Sequence, residues 1–392
     1  MFIAGTMLFA LSSLACALAA SQGQLLAARA AQGIGAAFVS PATLSIVTSS
    51  FAQGPERNHA VAVWGAMGAL GGSLGALLGG LLTQTIGWPA IFAVNIPIGV
   101  VIVLSALRYV PPRQPTHGPR DLDVLGAALI TLALGSLTYA VVRSGSLGWG
   151  STGVLAPLIA GLVLLGAFLI VEGRIAKAPL VPLQVFRIER VSAANLLVAI
   201  IYSAFFPMFF FLTLYLQSVV HYSPIITGVF FLPLGLAVFV MSVLAPRLVA
   251  RFGPRTVITA GMLTAAAGLV LMTGIAPGRG HVWFGILGGL LMMAGLGLSL
   301  VPSTIVATQG LPPGMSGLGS ALMNTSRLLG GALGLAILVT VAAARTRADV
   351  SVSGAQALTD GFSRSLGISA AVCIAGAVIA LVLLRGRTGH AR

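Results

Sequence analysis

The chain is built from long apolar segments separated by short connectors. Each segment is close to the roughly 20 residues that cross the hydrocarbon core of a bilayer as a helix. Backbone groups in lipid must bond inside the protein, and these segments are too long and too continuously apolar for barrel strands. We therefore predict an all-α polytopic membrane protein with about twelve transmembrane helices, at residues 2–20, 24–47, 59–83, 89–109, 121–142, 152–172, 190–217, 224–248, 254–275, 282–305, 317–344 and 361–384.

The composition excludes a soluble fold. Of the 392 residues, 57% are hydrophobic and only 7% are charged, whereas an ordinary soluble domain has about 25% charged residues. A soluble chain of this length has too much exterior to hide so much apolar surface. The first apolar segment lacks the basic start of a secretory signal peptide, so we expect a retained helix rather than a cleaved leader.

The distribution of the +14 net charge predicts the topology. If the N-terminus is cytoplasmic, most Lys and Arg residues fall in inner connectors or the C-terminal tail. By the positive-inside rule, both termini are then cytoplasmic. We expect a multi-pass protein of the plasma (inner) membrane. The basic excess reflects topology and contact with anionic membrane lipids rather than nucleic-acid binding. The exceptions are Arg29 and Arg327 within spans, and, in outer connectors, Arg143, Arg279, Arg345, Arg347 and Arg364.

No catalytic or metal-binding constellation is visible in the sequence. The five histidines lack metal-ligand spacing, and Cys16 and Cys373 are expected to be small packing residues. An enzyme embedded in the membrane needs buried acid–base groups, so we expect neither an enzyme nor a cofactor or metal ion. All seven acids lie at predicted helix ends or in connectors: Glu56, Asp121, Asp123, Glu172, Glu189, Asp349 and Asp360.

Two connectors divide the chain. PPRQPTHGPRDLD at 111–123 is Pro-rich and basic, and EGRIAKAPLVPLQVFRIER at 172–190 is the longest connector. Four predicted helices precede the first connector, two lie between the connectors, and six follow the second. A 6+2+6 plan without its first two helices would explain this asymmetry. We therefore predict the remainder of an N-terminal half-bundle at 1–110, two linking helices with cytoplasmic connectors at 111–189, and a C-terminal six-helix half-bundle at 190–392.

Six motifs carry a resemblance to a known family. They are LLAARAAQGIGAA at 25–37, GALGGSLGALLGGLL at 68–82, WPAIFAVNIPIG at 88–99, YLQSVVHYSPIITGVFFLPLG at 215–235, APRLVARFGPR at 245–255 and SALMNTSRLLGGALG at 320–334. In this order they resemble the fourteen-helix drug/proton antiporters of the major facilitator superfamily.

The resemblance implies a secondary active transporter that exports hydrophobic small molecules or drugs by proton antiport with alternating access. Its implied partners are the small-molecule substrate, protons and membrane lipids, and we expect a monomer. The alternatives are uptake or flipping of a lipid or metabolite, a non-transporting membrane sensor or partner subunit, and an inactive N-terminally truncated fragment. A sensor is disfavoured because no stretch is long enough for a soluble domain.

The chain departs from the family pattern in several places. Gly72 and Ala76 stand where prolines are usual, and Ala250 stands where the cytoplasmic loop motif usually has an acid. The resemblance also implies two helices before Met1, with an acid in the first. Arginine stays protonated and no acid or histidine lies mid-span. We therefore expect proton coupling to need an in-frame upstream extension of roughly 60–80 codons.

Arg29 and Arg327 are the charged residues within the predicted spans, where arginine costs about 2.5–3.5 kcal/mol near the centre. The resemblance implies that Arg29 and Gln32 belong to the proton-coupling path; the alternative is that Arg29 snorkels to the headgroups. Arg327 lies roughly 15 Å into its span, with Asn324 on the same face. We expect Arg327 to line a central cavity; bonding to carbonyls of a broken helix is the alternative.

The stretch YSAFFPMFFFLTLYLQ at 202–217 is the aromatic centre of the chain. Its rings suit a pocket for flat apolar cations or neutral drugs, and the alternative is bulk that faces lipid. Tyr215 and Gln217 are the preferred cavity residues because a polar group that faces lipid finds no hydrogen-bond partner. Asn95, beside Pro97, predicts a distorted, polar-lined stretch. The predicted substrate and proton pathway is Arg29, Gln32, Asn95, Tyr215, Gln217, Asn324 and Arg327.

Two further motifs predict structural roles. Small residues spaced four apart allow close helix approach, and the resemblance adds a role in sealing the two halves against ion leak. The predicted antiporter-motif packing face is Gly68, Gly71, Gly72, Gly75, Gly79 and Gly80. The predicted cytoplasmic loop motif of the second half is Arg247, Arg251, Gly253 and Arg255.

Overall fold

The fold is helical throughout the part of the chain that the structure describes. This structure is a computed structural model that describes residues 1–51, 55–110, 123–148, 150–176, 179–181, 183–309, 316–348 and 353–384. Within these ranges, eight helices are long and apolar enough to cross a membrane. The predicted all-α polytopic membrane fold is confirmed.

The structure has twelve α-helices in its described ranges, two of which continue into short π turns and two of which follow short 3₁₀ turns. The π turns are Val171–Ile175 and Tyr215–Val219, and the 3₁₀ turns are Leu183–Arg187 and Arg279–His281. The helices are α1 (Phe2–Ala17), α2 (Gln22–Ser50), α3 (Pro55–Thr85), α4 (Ala90–Ala93), α5 (Asn95–Tyr109), α6 (Val124–Leu147), α7 (Thr152–Ile170), α8 (Glu189–Leu214), α9 (Pro224–Met272), α10 (Val282–Gln309), α11 (Ser316–Ala348) and α12 (Gly354–Leu383).

Local sequence signals set several helix ends. The Ser21 hydroxyl accepts a hydrogen bond from the Gln24 backbone N–H at 3.2 Å, which caps α2. The Asp123 carboxylate accepts from the Gly126 N–H at 2.7 Å and caps α6. Each satisfies a backbone donor that the first helical turn leaves without an intrahelical partner. Gly148 ends α6 at a φ of 77°, a conformation that glycine adopts without steric penalty.

Within the described residues, each predicted apolar segment overlaps helical structure, with two differences in continuity. Segments 224–248 and 254–275 form the two parts of α9, which is interrupted at Gly253 with φ 78° and ψ 156°. Segment 89–109 is divided at Val94 into α4 and α5. This break immediately precedes Asn95, where the sequence predicts a distortion.

The residues cluster by contacts into two units. Unit one comprises residues 1–118 with 222–236, and unit two comprises residues 119–221 with 237–392. In unit one, α1 packs against α2 and α5. In unit two, α8 packs against α10, α11 and α12, while α6 pairs with α7 and also contacts α11. The three-part division at 110 and 189 stays a prediction.

Unit two is centred on α8. Its largest fully buried side chains include several from this helix: Leu197, Ile201, Met208, Phe211 and Leu212. Phe211 stacks on Phe362 of α12, with ring centroids 5.2 Å apart. A helix that is apolar on every side is typical of the interior of a bundle. The buried side chains of α8 therefore form much of the interior of unit two.

Glycines bring the second part of α9 into close contact with α10. A Cβ on Gly261 would lie 2.9 Å from the Gly295 carbonyl oxygen, and one on Gly268 would collide with the Gly288 carbonyl. Small residues at such positions let two backbones approach closely in lipid. This close contact was not predicted from the sequence, where the predicted glycine packing face lies on α3.

Candidate functional site

The first polar cluster lies in unit one and contains Arg29. The Arg29 guanidinium Nη1 donates to the Gln32 side-chain oxygen at 2.6 Å, one turn further along α2. The Gln32 amide nitrogen donates to the Ser13 hydroxyl on α1, also at 2.6 Å. Ser13 in turn donates to the Phe9 carbonyl at 2.7 Å. Hydrogen bonds therefore connect the exposed Arg29 through Gln32 to Ser13, which is fully buried.

The ring of Phe92 supports the other side of Arg29. The Arg29 Cζ lies 5.7 Å from the Phe92 ring centroid, within the range of a cation–π contact. Phe92 belongs to the short helix α4, directly before the break at Val94. Asn95 begins α5 after that break and is half-buried. Arg29 and Gln32, which the sequence places in one pathway, are therefore hydrogen-bonded to each other. Their role in that pathway stays a prediction.

Close contact between α1 and α2 makes the Gln32–Ser13 bond possible. A Cβ on Gly35 would lie 2.6 Å from the Phe9 nitrogen, and one on Gly5 would lie 2.7 Å from the Phe38 Cβ. Neither position accepts a larger residue without a shift of the helices. Because Gly35 is three residues after Gln32, the contact holds the Gln32 amide against α1.

The second polar cluster lies in unit two and contains Arg327. The Arg327 Nη2 donates to the Asn324 side-chain oxygen at 2.7 Å, one turn earlier on α11. The Arg327 Cζ also lies 5.6 Å from the ring centroid of Tyr202 on α8. Arg327 is half-buried, and only 7% of Tyr202 is exposed. The guanidinium therefore has a fixed position between an amide and an aromatic ring.

Asn195 and Ser326 form a separate polar contact between the same two helices, and neither residue was among those predicted from the sequence. The Ser326 hydroxyl donates to the Asn195 side-chain oxygen at 3.0 Å, which joins α11 to α8. The Asn195 amide nitrogen donates to the Val191 carbonyl at 2.9 Å. A sequence signal existed, because Asn195 is a lone amide inside an apolar helix. An amide at such a position needs a bonding partner.

Glycines also hold α8 and α11 together beside Arg327. A Cβ on Gly330 would lie 2.6 Å from the Ala199 Cα, and one on Gly334 would lie 2.5 Å from the Ser203 Cα. The Gly331 position faces the Phe206 ring so closely that a Cβ would overlap it. The motif SALMNTSRLLGGALG therefore supplies both the polar cluster and the close contact that positions it.

The aromatic residues of α8 extend away from Arg327 as a connected cluster. Tyr202, Phe205, Phe206 and Phe209 have neighbouring ring centroids 5.3 to 6.2 Å apart. The three Phe side chains are half-buried. Edge-to-face and tilted arrangements of this kind are the favoured geometries of aromatic pairs. Their partial exposure leaves ring surface available to a ligand.

Tyr215 and Gln217 occupy different environments. Tyr215 is fully buried, and its hydroxyl donates to the Ala276 carbonyl at 3.0 Å. Gln217 is exposed in the π turn that follows α8. The two residues are close in sequence but do not share one surface. The bond to Ala276 gives Tyr215 a structural role, and its predicted pathway role stays untested.

The glycine face of α3 has one close contact in the described residues. A Cβ on Gly80 would collide with the Pro224 carbonyl, and the Ile225 N–H donates to the Gln84 side-chain oxygen at 3.3 Å. At Gly71, Gly75 and Gly79 an added Cβ would meet no described atom within 4 Å. The surroundings of Gly68 and Gly72 lie outside the described residues. The packing role of this face stays a prediction.

The loop motif APRLVARFGPR contains the interruption of α9. Gly253 adopts a positive φ, a region that favours glycine, so the residue type follows from the backbone. Arg251 lies over the Phe252 ring at 5.2 Å, and Arg247 is exposed. The Arg255 Nε is buried and has no hydrogen-bond partner.

Among the described residues, the acids and the groove in unit two do not provide an alternative site. Glu172 is buried in the π turn after α7, and Asp360, in the second turn of α12, accepts from the Gln356 amide at 2.9 Å. No group of three or more potential metal ligands occurs among the described residues. A shallow groove in unit two is lined by apolar residues alone and offers nothing polar to orient a ligand: Leu263, Ala266, Ala267, Val270, Leu271 and Ile374.

Comparison with known proteins gives consistent matches. Residues 1–335 match the family described as Major Facilitator Superfamily. The chain is 38% identical over 348 residues to the cephamycin export protein CmcT of Amycolatopsis lactamdurans, covering 88% of this chain and 71% of that protein. It is 36% identical over 396 residues to the puromycin resistance protein pur8 of Streptomyces alboniger, covering 99% and 78%. It spans 61% to 64% of the length of several further relatives.

Solved structures agree on the fold. A POT family transporter crystallised with a thioalcohol-conjugated peptide has a TM-score of 0.67. Its sequence is 14% identical, and the match covers 98% of this chain and 80% of that one. At this identity the likeness concerns the fold alone.

Proposed function

We propose that this chain, which belongs to the major facilitator superfamily, exports amphipathic small molecules out of the cell by alternating access. The multi-pass helical fold and the relatives named for antibiotic export or resistance support a small-molecule transporter. They also support the expectation that the chain is not an enzyme.

The observation that carries the proposal is the Arg327 cluster. A permanently charged guanidinium about 16 Å along α11 is expensive in lipid and is kept where it faces protein or water. Asn324 and Tyr202 hold it in one orientation, and half-buried aromatic rings lie beside it on α8. This combination of apolar rings and one polar anchor is typical of small-molecule sites.

The positions of individual residues support the following roles. We assign Arg327, Asn324 and the α8 rings to substrate contact, and Arg29 with Gln32 to the coupling of substrate movement to an ion. Asn95 is assigned to the polar stretch next to Phe92, and Gln217 to the exposed end of α8. Tyr215 fixes that end through Ala276.

We further propose a coupling ion, an oligomeric state, lipid contacts and an orientation in the membrane. The coupling ion is a proton that enters as substrate leaves, the protein works as a monomer, and anionic lipids contact its basic inner surface. Both termini lie in the cytoplasm, and the membrane is the plasma membrane. Support comes from the basic residues of the sequence and from the family, whose transporters use alternating access.

Dye export tests the proposal. The chain is expressed in a bacterial host lacking its own efflux pumps, and loss of a preloaded fluorescent dye is followed with and without a protonophore. Because the sequence predicts that proton coupling needs upstream codons, the chain is expressed with and without them, and we expect export that the protonophore stops from the longer form. Export that persists in its presence would contradict proton coupling only.

The variant Arg327→Ala at normal membrane abundance provides the matched control and should export no dye. If wild-type and Arg327→Ala cells lose a panel of anionic, neutral and cationic dyes at the same slow rate, the protein is not an exporter of such molecules. A non-transporting sensor or partner subunit is then favoured.

A further inference from the structure

We propose that Arg327 binds the anionic head group, such as a carboxylate, of an amphipathic aromatic substrate. This inference rests on the proposed export function and narrows its substrate class to organic anions. It concerns unit two alone, where Arg327, Asn324, Tyr202 and the neighbouring phenylalanines are packed together.

The charge of Arg327 is not neutralised by the groups that hold it. Its contacts among the described residues are the Asn324 amide oxygen and the ring and hydroxyl of Tyr202, and none of these groups is charged. Within the described residues it forms no ion pair with a carboxylate. Asp360 of α12 is engaged by Gln356. In surroundings of low dielectric, a fixed cation with neutral partners is strongly stabilised by an arriving anion.

The geometry of the guanidinium suits a carboxylate. Arginine presents five N–H donors in a planar fork that matches two carboxylate oxygens. The 2.7 Å bond to Asn324 restrains the Nη2 end, and the Tyr202 ring lies 5.6 Å from the Cζ. The fork is therefore already oriented before a ligand arrives, which lowers the entropy lost on binding.

The rest of the site suits an aromatic body. Phe205 and Phe206 lie 5.5 and 5.9 Å from the Tyr202 ring, centroid to centroid, and Phe209 continues the cluster one turn further on. These rings are half-buried, so part of their surface is open to a flat apolar ligand. A molecule that spans both parts places its charge on Arg327 and its rings on α8.

The same charge discriminates against lipophilic cations. A cation placed on these rings would lie beside a permanent positive charge with no described carboxylate near it, and this repulsion acts as selection against such ligands. The predicted preference is thus for anions over cations of equal size and apolarity. This preference can be measured separately from transport.

Binding of two dyes with a common ring system tests the proposal. The purified full chain in detergent is titrated with fluorescein, an anion, and with rhodamine 123, a cation, and fluorescence anisotropy is recorded. Both dyes contain a xanthene core. We expect fluorescein to bind at least about tenfold more tightly, which is about 1.4 kcal/mol.

Single substitutions test whether Arg327 causes the preference for the anionic dye. Arg327→Gln should abolish the preference for fluorescein, and Arg327→Lys should keep only part of it, because an ammonium lacks the planar fork. Arg364→Gln removes an equal charge from an exposed position on α12 and should leave the preference intact. Loss of the preference in Arg29→Gln, with Arg327→Gln unchanged, would overturn the assignment.

A competition experiment with the wild-type protein needs no variant. 1-Naphthoate should displace bound fluorescein, whereas the neutral 1-naphthamide should not. Equal displacement, stronger binding of rhodamine 123, or no binding of either dye contradicts the inference. Binding of fluorescein without its export by cells contradicts the proposed function instead, and export of rhodamine 123 without binding of fluorescein contradicts the inference alone.

Discussion

The Gln32 amide nitrogen and the Ser13 hydroxyl oxygen are 2.6 Å apart and join α2 to α1 in the buried part of unit one. Gln32 simultaneously accepts from Arg29. Unit two repeats these elements with different residues. Arg327 is held by an amide one turn away, an aromatic ring lies under each arginine, and a hydroxyl–amide bond joins Ser326 to Asn195 across two helices. Each arginine is therefore held by an amide on its own helix and by an aromatic residue on another helix.

Replacing Gln32 should test whether this network positions Arg29. Gln32→Leu keeps the size but removes both bonds, which leaves the Ser13 hydroxyl short of a partner in a buried site. We expect a loss of about 1–3 kcal/mol in stability and a marked loss of export. Ser13→Ala removes only the distal bond and should have the smaller effect on export. If Gln32→Leu exports at the wild-type rate while its thermal stability falls, the bond to Arg29 is structural only.

The glycines of α11 and α7 should respond oppositely to alanine. At Gly334 a Cβ would collide with the Ser203 backbone, whereas at Gly166 it would meet nothing within 4 Å. Gly334→Ala should therefore destabilise by about 1–3 kcal/mol through overpacking. Gly166→Ala should be neutral or stabilising by up to about 1 kcal/mol, since alanine is the better helix former. Melting temperatures of the detergent-solubilised proteins provide the measurement, and equal shifts in both variants contradict this packing.

The apolar segments predicted most of the fold because length and hydropathy alone decide where a helix crosses lipid. The Arg29–Gln32 and Arg327–Asn324 pairs were also predictable, since residues three apart share a helix face. The partners on other helices, Ser13, Tyr202 and Asn195, were not. Interhelical contacts depend on how small residues let two helices approach, and the sequence does not reveal which glycine faces which helix. Tyr215 shows the same gap, because its Ala276 partner is 61 residues away.

The basic residues predict which connectors face the cytoplasm, and labelling of single cysteines tests this. Cysteine is placed at Gln114 or at Ser146 in a variant that lacks Cys16 and Cys373. Because the inner connectors contain most of the arginines, an impermeant thiol reagent added outside intact cells should label Ser146→Cys alone. Gln114→Cys should react only after the cells are opened. The reverse pattern would invert the predicted topology.

Gly253 should be the position in the loop motif that tolerates alanine least. Its φ of 78° with ψ of 156° lies in a region that is essentially restricted to glycine, and a side chain there costs on the order of 1–3 kcal/mol. Gly253→Ala should therefore either destabilise the protein or draw the two parts of α9 into one continuous helix, and both outcomes should reduce export.

Gly280→Ala is the matched control, because that glycine has no atom within 4 Å of an added Cβ and no positive φ. Thermal unfolding and dye export measured together separate the two effects. Reduced export at unchanged stability indicates that the interruption at Gly253 is needed for movement between transport states, whereas unchanged export and stability contradict the strained backbone at this residue.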